Sequence, residues 1–114
     1  MVIHRSEMKV ESVDGLRGGE GCTRMTHLAD AGKEKNVRML AELALEPGCS
    51  VGHHSHETET EYYFILSGTG LVDDNGKEVE VTKGASVITG NGAFHSIKNI
   101  GSEPLVFHAV IVTY

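Results

Sequence analysis

Gly48-Cys49-Ser50-Val51-Gly52-His53-His54-Ser55-His56, continued by Glu57-Thr58-Glu59-Thr60-Glu61 and Tyr62-Tyr63-Phe64-Ile65-Leu66-Ser67-Gly68, is the stretch that decides how this chain folds. In an extended chain, side chains at i and i+2 share a face with their Cα atoms roughly 6.5 Å apart, so His54 and His56 aim at one point while Ser55 faces away. A hairpin-like loop would then bring Glu61 back on the neighbouring strand. A carboxylate opposite two imidazoles supplies one negative charge and mixed nitrogen and oxygen donors, which suits a divalent first-row ion better than a thiolate-seeking one. A fourth candidate, His95, follows Gly84, Gly90 and Gly92 and precedes Asn99. A lone HxH is commonly coincidence or surface histidine. With a spaced glutamate, flanking glycines and a distant histidine it becomes a candidate metal set of His54, His56, Glu61 and His95.

Composition bounds the rest. A chain of 114 residues has room for one core. Only 5% aromatic residues, no Trp, 14 Gly and 2 Pro suit many short strands joined by glycine turns and argue against a helical bundle. A net charge of −6 with ten scattered Lys and Arg argues against nucleic acid, whose binders cluster cations to displace counterions. The longest apolar stretches, such as Leu105 to Val112 with His108 inside, fall far short of a membrane span of about 20 residues. Met1-Val2-Ile3-His4-Arg5 lacks the apolar core of a signal peptide, so no membrane role is expected and the cytoplasm is the default location. Cys22 and Cys49 make no zinc pattern and are expected to be reduced. Gly15 to Gly21 holds no GK[ST] and opens no helix, so it is not read as a phosphate cradle.

Along the chain, Met1 to Gly21 is read as an N-terminal arm or edge, and 22–114 as the folded domain. A first strand is predicted from Cys22 to Leu28 and a charged, mobile loop from Ala29 to Asn36. In the strand Val37 to Glu46, Arg38, Glu42 and Glu46 belong outside, which turns Met39, Ala41, Leu43 and Leu45 inward. The same alternation after Glu61 places Tyr63 and Ile65 on the ligand's face. Asp73-Asp74-Asn75-Gly76 marks a hairpin turn, since Asn-Gly accepts positive φ at both central positions. Strands Lys77 to Val81, Ser86 to Thr89 and Ser96 to Asn99 follow. The last strand, Leu105 to Thr113, is apolar on both parities, so both its faces are expected to be covered, one by the interior and one by another sheet or subunit. His53 lies on the opposite parity from His54 and is expected to support the site or meet solvent. His108 is expected to point away from the metal, His4 and His27 have no evident partner, and Glu57 and Glu59 are expected to be solvated. Phe94, next to His95, is expected to wall the pocket, and Tyr63 to offer it a hydrogen-bond donor. No internal repeat or Ser-His-Asp arrangement is present.

These spacings resemble the cupin superfamily. Its first motif is glycine, five residues, HxH, three or four residues, glutamate, six residues, glycine, and Gly48, His54, His56, Glu61 and Gly68 satisfy every position. Its second motif, with proline six residues after the first glycine, is met by Gly84, Gly92, His95 and Asn99, with Gly90 where proline is usual. Because that proline only stiffens a turn, the change bears on the loop and not on ligation. Only 15 residues, Thr69 to Lys83, separate the motifs, which implies a small barrel. The resemblance implies an all-β, single-domain double-stranded β-helix (jelly-roll barrel) with an N-terminal arm. It also implies that Phe107, Ala109 and Ile111 face inward with the other pocket residues, and that the chain is a homodimer through its arm and last strand.

Four protein ligands on an octahedral ion leave two adjacent positions that a chelating anion can fill through two oxygens. Three imidazoles and a carboxylate leave a divalent ion with one net positive charge, so an anion is favoured there. Manganese is the first choice, with iron, nickel and zinc as alternatives. Within the superfamily the chain is most similar to small oxalate-binding or oxalate decarboxylase-like cupins. The resemblance carries binding of a small carboxylate further than decarboxylation. Oxalate decarboxylases place an arginine three residues before the first ligand histidine, and Val51 stands there; Arg24 on the first strand is the one substitute that the sequence suggests. Two other readings stand beside this one. The first is an iron-dependent dioxygenase with oxygen sheltered by Met39, Leu43, Ile65 and Phe107. The second is a non-catalytic sensor or structural barrel stabilised by its metal.

Overall fold

The computed structural model describes residues 1–114 and builds ten strands: β1 (Val10–Asp14), β2 (Cys22–His27), β3 (Val37–Leu45), β4 (Ser50–Ser55), β5 (Glu59–Ser67), β6 (Gly70–Asp74), β7 (Lys77–Val81), β8 (Ser86–Gly90), β9 (Phe94–Asn99) and β10 (Leu105–Thr113). Three short 3-10 turns, at Arg5–Glu7, Leu16–Gly18 and Ala31–Lys33, are the only helical pieces. The strands form two antiparallel sheets, one in the order β1-β2-β3-β10-β5-β8 and the other β4-β9-β6-β7. Alternation on the large sheet produces its inner face: Ala41, Leu43 and Leu45 on β3, Phe107, Ala109 and Ile111 on β10, and Tyr63 and Ile65 on β5 are all buried. Val51, Val72, Val81 and Ile97 of the small sheet close the core from the other side. The β6–β7 hairpin turns at Asn75 and Gly76, both at positive φ (51° and 96°), as a type I′ turn requires.

Two expectations are corrected. β4 and β5 are not neighbours: they lie in different sheets, so Glu61 faces His54 and His56 across the sandwich instead of beside them. The connection His56–Thr58 is a sheet crossing and not a hairpin. The stretch 1–21, expected as an arm or edge, supplies the edge strand of the large sheet: Val10–Asp14 pairs with β2 in full register, from Val10 opposite Thr26 to Asp14 opposite Cys22. The predicted strand at Ser96 begins two residues earlier, which brings His95 into β9 and pairs it with His54. β10 is central in its sheet, between β3 and β5; the opposing sheet covers its inner face, and Val106, His108, Val110 and Val112 on the outer face are half-buried within the single chain.

Two irregularities set side-chain direction. In β4, Val51 pairs with Ile97 and His54 with His95, so Gly52 and His53 together oppose Ser96. Such a bulge inserts one residue and switches parity, and it lets Val51 and His54, three positions apart, both face inward. In β3, Met39 pairs with Ile111 and Val37 with Val112, leaving Arg38 as the inserted residue. Its side chain leaves the outer face and turns toward Glu59. Asn99, the last residue of the second motif, is a structural fastener: its buried amide donates to the carbonyls of Leu45 and Glu103, both at 2.8 Å, and accepts from the Gly101 N–H at 2.9 Å.

Candidate metal centre

β4, the β4–β5 crossing, β5 and β9 each deliver a piece of one cluster. His54 comes from β4, His56 from the crossing just past its end, Glu61 from β5 and His95 from β9, and one donor atom from each lies within 4.8 Å of all the others. Glu61 Oε1 is 3.5 Å from His54 Nε2, 3.0 Å from His56 Nε2 and 2.9 Å from His95 Nε2. His95 Nε2 is 3.0 Å from His54 Nε2 and 3.2 Å from His56 Nε2. Donors about 2.1 Å from a common ion are roughly 3.0 Å apart at right angles and 3.4 Å apart at the tetrahedral angle, so these five separations are the edges of a first-row coordination shell.

The hydrogen bonds at the back of each ring decide what the front presents. His54 Nδ1 donates to the Gly52 carbonyl at 2.7 Å, and His56 Nδ1 donates to the Glu59 carboxylate at 2.5 Å. His95 Nδ1 meets Thr89 Oγ1 at 2.8 Å, and Thr89 itself sits opposite Glu61 on β8. With each Nδ1 holding its proton, three Nε2 lone pairs and a carboxylate oxygen point at one place with no donor among them. Four mutually repelling acceptors in a nearly dry site fit a cation, and the nitrogen and oxygen set fits a divalent first-row metal.

Charge in the site follows from its burial. Without an ion, any proton that enters the cluster sits on a ring Nε2 and bonds to Glu61; such bonds from the three imidazoles outweigh the burial that would push the Glu61 carboxyl up, and hold it far below the usual carboxylate range. His56 is raised, first by its bond to Glu61 and then by Glu59, whereas burial dominates at His95 and lowers it. The Tyr63 hydroxyl is driven well above its ordinary value by burial and by the Glu61 charge, so it stays protonated. Its ring stacks on His95, with centroids 4.9 Å apart and planes 18° apart, and fixes the imidazole from one side.

Glu59 is a correction and a residue the sequence reading missed. Instead of being solvated, it takes two hydrogen bonds from Arg38 (Nε to Oε1 at 2.8 Å, Nη2 to Oε2 at 2.7 Å) while accepting from His56. The guanidinium first, and His56 with it, lower its pKa from 4.5 to about 2. A carboxylate behind a ligand histidine fixes the tautomer and raises ligand basicity. The readable signal was parity, since Glu59 and Glu61 stand two apart; Arg38 was unreadable because only the bulge turns it.

A cavity of about 40 Å³ opens on the cluster. Of the predicted pocket residues, Met39, Leu43, Tyr63 and Ile111 line it, together with His54, His56, Glu61 and Val51. Ala41, Ile65, Phe107 and Ala109 are buried in the core behind it. Phe94 is corrected: it alternates with His95, is 37% exposed, and its ring lies 6.0 Å from the outward His53. Arg24 is also corrected; it alternates with the buried Thr23 and Met25 and faces solvent. The cations at the cavity are Arg17 and Arg38. A larger groove of about 660 Å³ lies between the N-terminal segment and Leu28–Gly32 and shares Arg38 and Met39 with the cavity, but it holds none of the four clustered donors. His53 donates to Asp73 at 2.7 Å on the outer surface, and His108 pairs with Glu42 at 3.1 Å, both away from the cluster.

Comparison with known proteins agrees with this geometry. Residues 41–112 match the family described as cupin domain. The chain is 43% identical over 113 residues, 98% of its length and 93% of the relative's, to a protein of Thermotoga maritima named oxalate-binding protein. A crystal structure from Thermotoga maritima, described as a predicted oxalate decarboxylase, superposes with a TM-score of 0.94 at 42% identity over the whole of both chains. The polyketide cyclase RemF of Streptomyces resistomycificus shares the fold at 20% identity, with a TM-score of 0.75 over 99% of this chain and 78% of that one. No helix is long and apolar enough to cross a membrane. With its two facing antiparallel sheets, its motif histidines converging between them, and a family match across most of its length, the chain belongs to the cupins.

Proposed function

We propose that this protein is a divalent-metal cupin, with manganese as the preferred ion, that binds or transforms a small carboxylate such as oxalate. The observation that carries the reading is the convergence of four acceptors, from His54, His56, Glu61 and His95, on one point, with the first three of them lining a small cavity. When bound, the ion supplies a positive charge and open positions for ligand oxygens. The chain's own residues do the rest. Tyr63 and Glu59 hold two of the ligand rings in place, and Val51, Met39 and Leu43 exclude water around the bound anion. The free space corresponds to roughly three water molecules, which limits the ligand to a few heavy atoms beyond those that meet the ion. The relative named for oxalate binding supports this size and charge.

The test is calorimetric titration of oxalate into manganese-loaded protein and into the His95→Ala variant. Saturable heat with the first and none with the second is expected; no heat from the loaded protein at millimolar oxalate would end the proposal. We also propose a homodimer joined through the outer face of the large sheet, where Phe64 and Ile88 are 43% and 62% exposed beside Leu66. Light scattering should then give twice the chain mass for the protein and the single mass for Ile88→Glu.

A further inference from the structure

We propose that Arg17 makes this site selective for small dianions, by gripping the negative charge that the metal leaves uncancelled. The inference rests on the metal-carboxylate reading above and adds the charge of the ligand and the residue that selects it.

Charge accounting around the cavity leads there. A divalent ion held by Glu61 leaves one positive charge. Glu59 and Arg38 cancel each other through their paired hydrogen bonds. The three ligand imidazoles are neutral when they coordinate, and a tyrosine hydroxyl carries no charge at neutral pH. Arg17 is the remaining charged side chain at the cavity, and it has no carboxylate or hydrogen-bond partner in the structure. The sum is two positive charges facing one small cavity, which a dianion balances and a monoanion does not. Arg17 is exposed and lines the same cavity as Glu61, His54 and His56. A planar fork of donors suits a carboxylate better than an ammonium would.

The backbone is built to hold Arg17 there. Gly15-Leu16-Arg17-Gly18-Gly19-Glu20-Gly21 closes on itself through the Gly15 N–H to the Gly21 carbonyl (2.9 Å) and is bolted to the start of β4 through the Ser50 N–H to the Glu20 carbonyl (2.8 Å) and the Glu20 N–H to Ser50 Oγ (2.8 Å). Contact is so close that a Cβ at Gly52 would lie 2.1 Å from the Arg17 carbonyl oxygen, and one at Gly19 2.2 Å from the Ser50 carbonyl oxygen. Gly52 is half of the bulge that aims His54, so one glycine couples the metal ligand to the Arg17 loop. Arg17 itself adopts φ 54°, in the left-handed region. The other non-glycine residues there are Asn36, Asn75 and Asn91, which tolerate it. An arginine held in the left-handed region amid four glycines is a local strain of the kind that clusters at binding sites.

The experiment compares oxalate with glycolate, a monoanionic chelator of the same length, on manganese-loaded wild type, Arg17→Gln and Arg17→Gly. Glycine suits φ 54° and removes only the side chain, so that variant keeps the loop if glutamine disturbs it. Expected for both variants are unchanged manganese content, at least a tenfold weaker oxalate dissociation constant and less than a threefold change for glycolate, with a melting temperature for Arg17→Gly no lower than wild type and partial rescue in Arg17→Lys. Equal losses for the two ligands, or no loss for oxalate, would overturn the role of Arg17 while leaving carboxylate binding standing. Absence of oxalate binding by the wild type would overturn both.

Discussion

Replacing Glu59 by Gln keeps the size of the side chain and an oxygen to accept from His56 Nδ1, but it removes the charge that makes the 2.5 Å contact strong. Exchanging a charge-assisted hydrogen bond for a neutral one costs about 1–1.5 kcal/mol. The loss does not stop there, because the Arg38 guanidinium, doubly bonded to Glu59, is left uncancelled beside a bound cation. Together these place the loss of metal affinity between about tenfold and a hundredfold, or roughly 1.4–2.7 kcal/mol, the range found for carboxylates behind ligand histidines. Competition for manganese against a fluorescent chelator measures it directly, with Glu57→Gln as the control, since Glu57 is exposed. The same variant has a signature in acid. The folded-state pKa of Glu59 is depressed from 4.5 to about 2, so its contribution to stability is complete above pH 4.5 and is lost as pH falls toward 2. Metal-free Glu59→Gln should therefore show a shallower fall of melting temperature than wild type across that window. An unchanged manganese dissociation constant would refute the reasoning, because the carboxylate would then be an ordinary surface ion pair worth little.

Two further outcomes follow from the geometry. His54→Ala should abolish manganese retention on desalting, whereas His53→Ala, whose imidazole pairs with Asp73 on the outer surface, should retain about one ion per chain by elemental analysis. Asn99→Ala should cost about 3 kcal/mol in denaturant unfolding, since it leaves the carbonyls of Leu45 and Glu103 without their amide donor, while the refolded protein still takes up metal.

The part of this fold that could be read from sequence is the part governed by regular alternation. Met39, Ala41, Leu43 and Leu45, and again Tyr63 and Ile65, follow the two-residue period of a strand, and the Asn75-Gly76 turn follows from the φ those residues accept. The cluster was legible because motif spacing already contains the effect of the β4 bulge: His54 faces inward in the structure for a reason that period counting alone would contradict, given that Val51 also faces inward. Bulges are set by pairing partners distant in the chain, so Arg38 looked like an outer-face residue. Sheet membership was hidden for a similar reason, as the three residues between β4 and β5 are as compatible with a hairpin as with a crossing. The glycine-rich stretch at 15–21 reads as an arm or edge because glycines signal freedom in a sequence; in the fold they also permit close approach of two backbones, a contact visible only once β4 is in place.

The central claim is that His54, His56, Glu61 and His95 hold one divalent ion. Diffraction from crystals of manganese-loaded protein, with anomalous data on both sides of the manganese absorption edge, tests it most directly. The account predicts one strong manganese peak per chain, roughly 2.1–2.3 Å from three Nε2 atoms and a Glu61 oxygen. A map with no peak among these residues, or with manganese held elsewhere while the cluster stays closed on itself, would contradict it.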